Sequence, residues 1–343
     1  MSGLAALVTD ALRSVRDPEL RNDLVTLEIV KGVEERGGAV TVVLETTTPA
    51  CPLKGVFEAG VKEAAGKVPG VKSVAVRFLA GRAASRTGTL RVPNAVRLGS
   101  IRNVIAVASG KGGVGKSTVA ANLALALRDE GAKVALMDAD IYGPSQPLMF
   151  GVKGRSPEVT ADNRIRPLEA HGIGLLSIGL LVEEGRSVVW RGPMIHKALE
   201  QFFTDCLWGD PDYLVVDLPP GTGDAQLSLS QLVPMTGAVM VTTPQEVSLI
   251  DVRKGVDMFR RTRVPILGVV ENMSTFVCPC CRTETAIFDR GGGERAAVEW
   301  GVPFLGGVPI DPSVRAAGDA GVPVVASHPE SPAAEAFRRI ARA

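Results

Sequence analysis

The residues best suited to chemistry lie in one glycine-rich stretch, SGKGGVGKST at Ser109 to Thr118. It carries the four fixed positions of the GxxxxGKS/T pattern, at Gly110, Gly115, Lys116 and Ser117. Glycines let backbone N–H groups curl around phosphate oxygens, a lysine can reach the β and γ phosphates, and a serine hydroxyl can ligate Mg²⁺. An apolar strand precedes this stretch and a helical run follows it. A glycine-rich turn that matched the pattern by chance would not need these flanking elements. The pattern predicts a phosphate-binding loop for ATP and Mg²⁺.

Phosphoryl transfer also needs carboxylates, and two follow other predicted strands. One strand runs into Met137-Asp138-Ala139-Asp140, and a later one ends at Asp217. We expect Asp217 to hold Mg²⁺ or its water shell and Asp140 to orient the attacking water. Helix capping would explain one such acid, but two acids at strand ends beside a phosphate loop favour the catalytic interpretation.

Three of the five cysteines crowd into the sequence CPCC at 278–281. An odd number of cysteines without a signal peptide points to metal or redox chemistry before structural disulfides. A redox-active disulfide, a structural zinc and unpaired buried thiols remain as alternatives for this cluster. Cys206 lies in an apolar helical pattern and is expected to be a buried, inert thiol. Cys51 is compatible equally with packing and with transient thiol or cluster chemistry.

The elements that must position these groups alternate between strand and helix from Ile101 onward. Such alternation predicts an α/β fold in which a mostly parallel sheet is covered by helices on both faces. Ligands of such sheets bind at the carboxyl ends of the strands, where the loops above are found. The predicted strands are Val104 to Ala108, Val134 to Met137, Tyr213 to Val216, Ala238 to Val241, Ile266 to Val270 and Phe304 to Val308.

Residues 1–80 form a separate pattern that predicts a small α/β domain. It contains a helix near Leu4 to Ser14, strands at Val25 to Glu34 and Ala39 to Thr46, a helix at Leu53 to Ala65 and a strand at Val71 to Leu79. A polar stretch at 81–99 is expected to be a linker, and 100–343 the phosphate-loop domain.

Composition narrows the function further. The chain has 343 residues, a hydrophobic fraction of 45%, a charged fraction of 22% and a formal charge of +1. These values indicate globular material and give no overall attraction to nucleic acid or to an anionic membrane. The N-terminus lacks the uninterrupted apolar run of a signal peptide, and no stretch is apolar enough to span a membrane. A cytoplasmic protein is expected.

Several motifs resemble known families. The loop SGKGGVGKST, with Lys111 before the usual lysine, resembles the deviant Walker A loop of the MinD/ParA/NifH class. Further segments resemble the Mrp/ApbC iron-sulfur carriers, and the similarity extends over essentially all of 100–325. They are DADIYGPSQP at 138–147, WRGPM at 190–194, DYLVVDLPPGTGDAQLSL at 212–229, TTPQEVSLIDVRKG at 242–255 and ENMSTFVCPCC at 271–281.

The N-terminal unit carries a resemblance of its own. DPEL at 17–20 and TTTPACPLK at 46–54 resemble the PaaD-like domain that is often fused to iron-sulfur assembly proteins. The cysteine that corresponds to Cys51 recurs in that domain.

The resemblance implies roles for individual residues. It implies that Lys111 reaches across a dimer interface to the partner's nucleotide, that Asp140 and Asp217 are switch carboxylates, and that Asn272 reads the adenine. Cys278 and Cys281 are implied as cluster ligands; Cys280 departs from the usual CxxC, which leaves the choice of thiols open. The implied ATP site comprises Gly110, Lys111, Gly112, Gly113, Val114, Gly115, Lys116, Ser117 and Thr118.

The resemblance implies an ATP-dependent iron-sulfur carrier that serves apo-proteins and scaffold proteins. A [4Fe–4S] cluster takes four thiolates, so two Cys278/Cys281 pairs on the axis of a homodimer would share one cluster. ATP hydrolysis would be slow and would shift cluster affinity, without nucleic-acid or membrane partners.

The alternative is a MinD/ParA-like positioning ATPase, which would need a basic patch or an amphipathic tail. The tail at 331–343 is expected to be a capping helix instead. A small-molecule kinase is disfavoured because no acceptor pocket can be identified from the loops.

Overall fold

The computed structural model describes residues 3–16, 22–27, 29–46, 54–80, 101–181, 192–278, 280–281 and 283–343. Contacts divide the chain into two units, Met1–Ala84 and Ser85–Ala343. The linker expected at 81–99 lies outside the described residues, as do Cys51 and the DPEL motif. No helix in the described ranges is long and apolar enough to cross a membrane.

The first unit is a three-stranded sheet covered by two helices. Strand β2 lies between β1, which is antiparallel to it, and β3, which is parallel to it. Alternate residues of β2, Val40, Val42 and Leu44, join Val8 and Val61 in one buried cluster because successive side chains of a strand point to opposite faces. The elements are α1 (Gly3–Ala11), β1 (Val30–Arg36), β2 (Ala39–Thr46), α2 (Lys54–Gly66) and β3 (Ser73–Ala80).

Strand β1 begins later than the Val25 expected from the sequence. The carboxylate of Asp23 accepts hydrogen bonds from the backbone N–H groups of Val25 (3.1 Å) and Thr26 (2.8 Å). This local bonding fixes a turn where apolar content alone suggested a strand. The strand starts at Val30, and the expectation was therefore wrong for the described residues of that segment that precede Val30.

The second unit alternates strands with helices, as the sequence predicted. Its elements are β4 (Asn103–Ser109), α3 (Lys116–Asp129), β5 (Val134–Asp138), α4 (Gln146–Met149), β6 (Glu158–Val159), β7 (Ile165–Arg166), β8 (Leu168–Ala170), β9 (Ile173–Ser177), α5 (Gly192–Thr204), β10 (Tyr213–Asp217), α6 (Asp224–Leu232), β11 (Gly237–Thr242), α7 (Glu246–Arg261), β12 (Ile266–Val277), β13 (Glu284–Thr285), α8 (Gly292–Trp300), β14 (Phe304–Ile310), α9 (Pro312–Asp319), α10 (Val324–Ser327) and α11 (Pro332–Arg342).

One nine-stranded sheet organises this unit, in the order β13-β12-β11-β4-β10-β5-β9-β8, with β14 also paired to β12. Only the short edge strands β8 and β13 are antiparallel to their neighbours. The central strand β4 is buried along its whole length, which explains its unbroken apolar sequence. The expected parallel α/β fold is confirmed, whereas β9, the edge strand β8 beyond it and the short edge strand β13 were not predicted from the sequence.

Helices cover both faces of the sheet. Alternate residues of β4, Val104, Ala106 and Ala108, share a buried cluster with apolar residues of α5, α6, α7 and α8. Helix α3 packs on strands β4, β5 and β10, and α11 packs on α3 and β14. The loops at the carboxyl ends of β4, β5 and β10 therefore meet at one edge, where the chemistry was expected.

Candidate nucleotide and metal-binding site

The phosphate loop connects β4 to α3 and depends on glycine at particular points. Gly113 and Gly115 both have φ of 82°, a left-handed conformation that glycine adopts without strain. A Cβ on Gly115 would lie 2.1 Å from Nδ2 of Asn272, and one on Gly110 would lie 2.2 Å from the backbone carbonyl carbon of Asp251 in α7. The loop is therefore packed directly against its supports.

Lys116, the first residue of α3, is held by carboxylates. Its Nζ forms ion pairs with Oδ1 of Asp217 and, at 3.3 Å, with Oδ2 of Asp140, and it lies 3.2 Å from Oγ of Ser117. Burial alone would lower the pKa of Lys116, but the negative charges of Asp217, Asp140 and Asp138 outweigh that effect and raise its pKa. The sequence-predicted lysine, serine and two acids thus converge in one buried cluster.

Asp138 is a third acid of this cluster, and no role was predicted for it from the sequence. Parallel pairing of β5 with β10 places Asp138 beside Asp217. Its side chain is fully buried and accepts hydrogen bonds from Oγ of Ser177 (2.9 Å) and the backbone N–H groups of Asp140 (3.1 Å) and Gln146 (3.2 Å). Burial, followed by the charge of Asp217, raises the pKa of Asp138 to about 8.

Gln146, at the start of α4, forms hydrogen bonds to two residues that carry possible Mg²⁺ ligands, Ser117 and Asp217. Its Nε2 donates hydrogen bonds to Oδ2 of Asp217 (2.8 Å) and to the backbone oxygen of Ser117 (3.0 Å). A serine hydroxyl and aspartate carboxylates are the hard oxygen donors that Mg²⁺ prefers. Ser117, Asp140 and Asp217 could therefore hold this ion or its water shell.

Asn272 lies inside β12 and contacts the phosphate loop from the side. Its Nδ2 donates a hydrogen bond to the backbone oxygen of Val114 (2.9 Å). The next residue, Met273, has a left-handed φ of 57°, and the pairing of β12 with β14 is irregular between Asn272 and Phe276. Beyond this bulge the strand continues to Val277, seven residues past the end predicted at Val270.

Glu271 explains part of that extension. Its carboxylate is buried and accepts the backbone N–H groups of Gly291 (3.2 Å) and Gly293 (2.6 Å) at the start of α8. These N–H groups have no partner within the helix, so a carboxylate there stabilises the helix end. The polar residues of this part of β12 form tertiary contacts, which cannot be predicted from the hydrophobic pattern of a strand.

The cysteines occupy the tip of the hairpin formed by β12 and β13. The backbone N–H of Cys278 donates to the oxygen of Thr283 at 3.0 Å, and Sγ of Cys281 and Oγ1 of Thr283 lie within hydrogen-bond distance, at 3.2 Å. Hydrogen bonds from Thr283 and from the thiol of Cys278 lower the pKa of Cys281 to about 7. Cys278 is half-buried, whereas Cys280 and Cys281 are exposed.

The hairpin does not build a complete metal site by itself. Across the described ranges, no group of three or more His, Cys, Asp or Glu side chains is arranged to hold a metal ion. Cys206 is buried elsewhere, and burial raises the pKa of its thiol to about 12. The accessible thiols of the described residues are therefore those at 278–281.

Lys111 and its neighbours complete the loop. The hydroxyl of Ser109 donates to the backbone oxygen of Lys111 at 2.9 Å. The side chain of Lys111 is partly exposed, and no described residue forms a hydrogen bond or ion pair with its ammonium group. The ammonium group of Lys111 thus has no partner among the described residues of its own chain.

Two protein-family models match the chain. The ParA model, described as NUBPL iron-transfer P-loop NTPase, matches residues 100–343, and a model described as iron-sulfur cluster assembly protein matches residues 6–78. The chain belongs to the NUBPL iron-transfer P-loop NTPase family. The resemblance inferred from its motifs is thereby confirmed for both parts of the chain, and the chain is a P-loop NTPase.

Full-length relatives agree with this assignment. The iron-sulfur cluster carrier protein of Deinococcus radiodurans is 49% identical over 97% of this chain and 92% of the relative. The protein of the same name from Escherichia coli K12 is 42% identical over 98% of this chain and 90% of the relative.

Solved structures support the fold. A nucleotide-binding protein from Archaeoglobus fulgidus, solved in complex with ADP and with cobalt, is similar at a TM-score of 0.59 and 39% identity, covering 66% of this chain and 88% of that protein. The cell-division ATPase MinD of Pyrococcus furiosus gives a TM-score of 0.53 at 29% identity, covering 70% and 96%.

Proposed function

We propose that this protein is an ATP-dependent carrier that holds an iron-sulfur cluster between two subunits and passes it to apo-proteins. The observation that carries the proposal is the position of Cys278 and Cys281, which lie at the tip of the hairpin that extends β12. Asn272 on the same strand contacts the phosphate loop. The names of the relatives, iron-sulfur cluster carrier proteins, support this assignment.

In the proposed ATPase, Lys116 exchanges partners. Its ammonium group is now paired with Asp217 and Asp140, and it would turn to the β and γ phosphates when nucleotide binds. That turn leaves the two carboxylates free, Asp217 toward Mg²⁺ with Ser117, and Asp140 toward the attacking water. Mg²⁺ supplies charge neutralisation at the phosphates. We infer that ATP hydrolysis is slow, because these residues position the phosphates, the metal and the water, and none of them is assigned as a general base.

The proposed cargo requires two copies of the chain. A [4Fe–4S] cluster takes four thiolates, and Cys278 with Cys281 supplies two per chain. Two-fold symmetry brings two such pairs together at an axis. The ammonium group of Lys111, which lacks a partner among the described residues of its own chain, would meet the nucleotide of the second copy in the same dimer.

Strand β12 offers a physical link between nucleotide and cargo. Cys278 directly follows the end of this strand and is six residues from Asn272, at most about 20 Å along an extended chain. Movement of the phosphate loop would displace Asn272 through its hydrogen bond to Val114. It would thereby displace the strand that leads to the cysteines. ATP binding would thereby shift cluster affinity through contacts that differ between two states.

The positioning alternative would need a basic patch or an amphipathic tail that is free to bind a surface. The C-terminal helix α11 instead packs on α3 and β14, and its apolar residues Phe337 and Ile340 are buried there. The tail is therefore a capping helix, as the sequence predicted, and the carrier function is the better supported of the two.

A transfer assay tests the proposal. Protein loaded with cluster is mixed anaerobically with an apo-enzyme that needs a [4Fe–4S] cluster, in the presence of an iron chelator, and recovery of enzyme activity is followed. We expect recovery despite the chelator, at a rate that MgATP changes in the wild type but not in Lys116→Ala. Complete suppression by the chelator would mean that iron is released into solution, and the carrier proposal would fail.

A further inference from the structure

Gln146 is a fully buried side chain that touches three parts of the nucleotide site. Its Nε2 donates to Oδ2 of Asp217 and to the backbone oxygen of Ser117, while its backbone N–H donates to Oδ2 of Asp138 at 3.2 Å. The carboxyl ends of β5 and β10 and the first turn of α3 are thus joined through one residue. A buried side chain with this many polar contacts has a defined position.

The contact with Asp217 fixes the orientation of its carboxylate. Gln146 holds Oδ2, and Lys116 is paired with Oδ1. When Lys116 turns to phosphate, Oδ1 is the oxygen that becomes available, and Gln146 keeps the carboxylate from rotating. Because Asp217 is fully buried, water does not replace this contact.

The amide orientation of Gln146 follows from its partners. Both Asp217 Oδ2 and the Ser117 carbonyl oxygen accept hydrogen bonds, so the NH₂ group must face them. The opposite orientation would place the amide oxygen against a carboxylate. Oε1 therefore points elsewhere, and it is buried without a hydrogen-bond partner among the described residues. A buried acceptor of this kind is costly unless a donor, such as a bound water, satisfies it.

Neutrality is the second property that suits Gln146 to this place. The cluster already contains Asp138, Asp140 and Asp217 against one lysine, Lys116. The amide of a glutamine supplies two N–H donors without adding charge. It therefore orients the carboxylate of Asp217 without neutralising it, and the carboxylate keeps its negative charge to bind a cation.

We propose that Gln146 is a positioning residue for Mg²⁺, which holds the carboxylate of Asp217 ready for the metal. The inference rests on the proposed magnesium nucleotide site. Outer contacts to metal ligands generally change metal affinity by roughly ten- to a hundredfold. Gln146 should therefore act on the metal dependence of nucleotide binding rather than on nucleotide binding itself.

The test measures binding of a fluorescent ADP analogue to the purified full-length protein in EDTA and across a Mg²⁺ titration. Gln146→Met preserves length but removes both donors, and Gln146→Glu preserves shape but sets a fourth carboxylate against Asp217. The matched control is Gln226→Met, since Gln226 is also buried but its Nε2 donates to the oxygen of Pro219. Thermal unfolding verifies that each variant is folded.

We expect Gln146→Met to bind the analogue in EDTA as the wild type does and to need roughly ten times more Mg²⁺ for half-maximal enhancement. Gln146→Glu should show a different Mg²⁺ dependence from the wild type as well, and it carries the test if Gln146→Met does not fold. Gln226→Met should keep the wild-type Mg²⁺ dependence.

Two results would overturn the inference. Equal losses of binding with and without Mg²⁺ would make Gln146 a structural residue only, and wild-type Mg²⁺ dependence in both variants would remove it from the metal site. A wild-type protein whose ADP binding ignores Mg²⁺ would instead overturn the proposed magnesium site, and this inference with it.

Discussion

At the scale of single residues, the two lysines of the loop have different surroundings and should have different functions. Lys116 is buried among carboxylates, whereas Lys111 is partly exposed. We predict that Lys116→Ala abolishes ATP binding, because the phosphates lose their cation and Asp217 is left as an unpaired buried charge. We predict that Lys111→Ala binds ATP normally but hydrolyses it at least about tenfold more slowly, because the role proposed for Lys111 is toward the nucleotide of a second copy of the chain.

Both variants are measured by equilibrium ATP binding and by steady-state phosphate release at several protein concentrations. Wild-type turnover in both variants would contradict the assignment of the site. Loss of ATP binding in Lys111→Ala would place that lysine within its own subunit's site instead of across a dimer.

The residues of this site differed in how far the sequence could reveal them. Lys116 and Ser117 belong to a pattern with fixed spacing, so the sequence alone was enough to predict their position. Asp138 and Gln146 have no such spacing, since their roles come from strand pairing and from a turn that folds back on the loop. An acid at the end of an apolar strand was nevertheless a usable signal for Asp138.

At the scale of elements, the phosphate loop and helix α7 depend on each other. Gly110 packs against the backbone of α7, where an added Cβ would lie 2.2 Å from the carbonyl carbon of Asp251. Gly110→Ala must therefore push the loop and the helix apart, and we predict a loss of about 1–3 kcal/mol in the free energy of unfolding. Unfolding of the nucleotide-free protein by urea measures this loss.

Gly112 provides the matched control within the same loop. A Cβ there meets nothing within 4 Å, and its backbone is not left-handed. Gly112→Ala should leave the free energy of unfolding unchanged within about 0.5 kcal/mol or raise it slightly. Equal effects of the two substitutions would show that the close approach to α7 does not limit the loop.

Element boundaries were less predictable than element types. The buried strands β4, β5, β10 and β11 were each found within one or two residues because their apolar runs are unbroken. Strand β12 was predicted to end at Val270, yet it continues to Val277 because Glu271 caps α8 and Asn272 binds the phosphate loop. Whether such polar residues lie in a strand depends on their tertiary contacts, and the local sequence does not reveal those contacts.

At the scale of the whole molecule, the sequence motifs already indicated a P-loop ATPase joined to a smaller α/β domain. The family models match both parts of the chain, and the fold of each unit agrees with the predicted class. What the motifs could not supply is the arrangement of thiols in three dimensions, because CPCC at 278–281 is compatible with several pairs. The hairpin places Cys278, Cys280 and Cys281 together at its tip, and the choice of Cys278 with Cys281 as cluster ligands stays a prediction.

The most direct measurement is anaerobic reconstitution with iron and sulfide, followed by an absorption spectrum, an iron count and the molecular mass in solution. For the wild type we predict a thiolate-to-iron band at about 400 nm and one [4Fe–4S] cluster per two chains. Cys278→Ala and Cys281→Ala should lose the cluster and keep ATP binding, and Cys206→Ala, whose thiol is buried elsewhere, should keep both. A cluster retained without Cys278 and Cys281, or held by a single chain, would contradict the account.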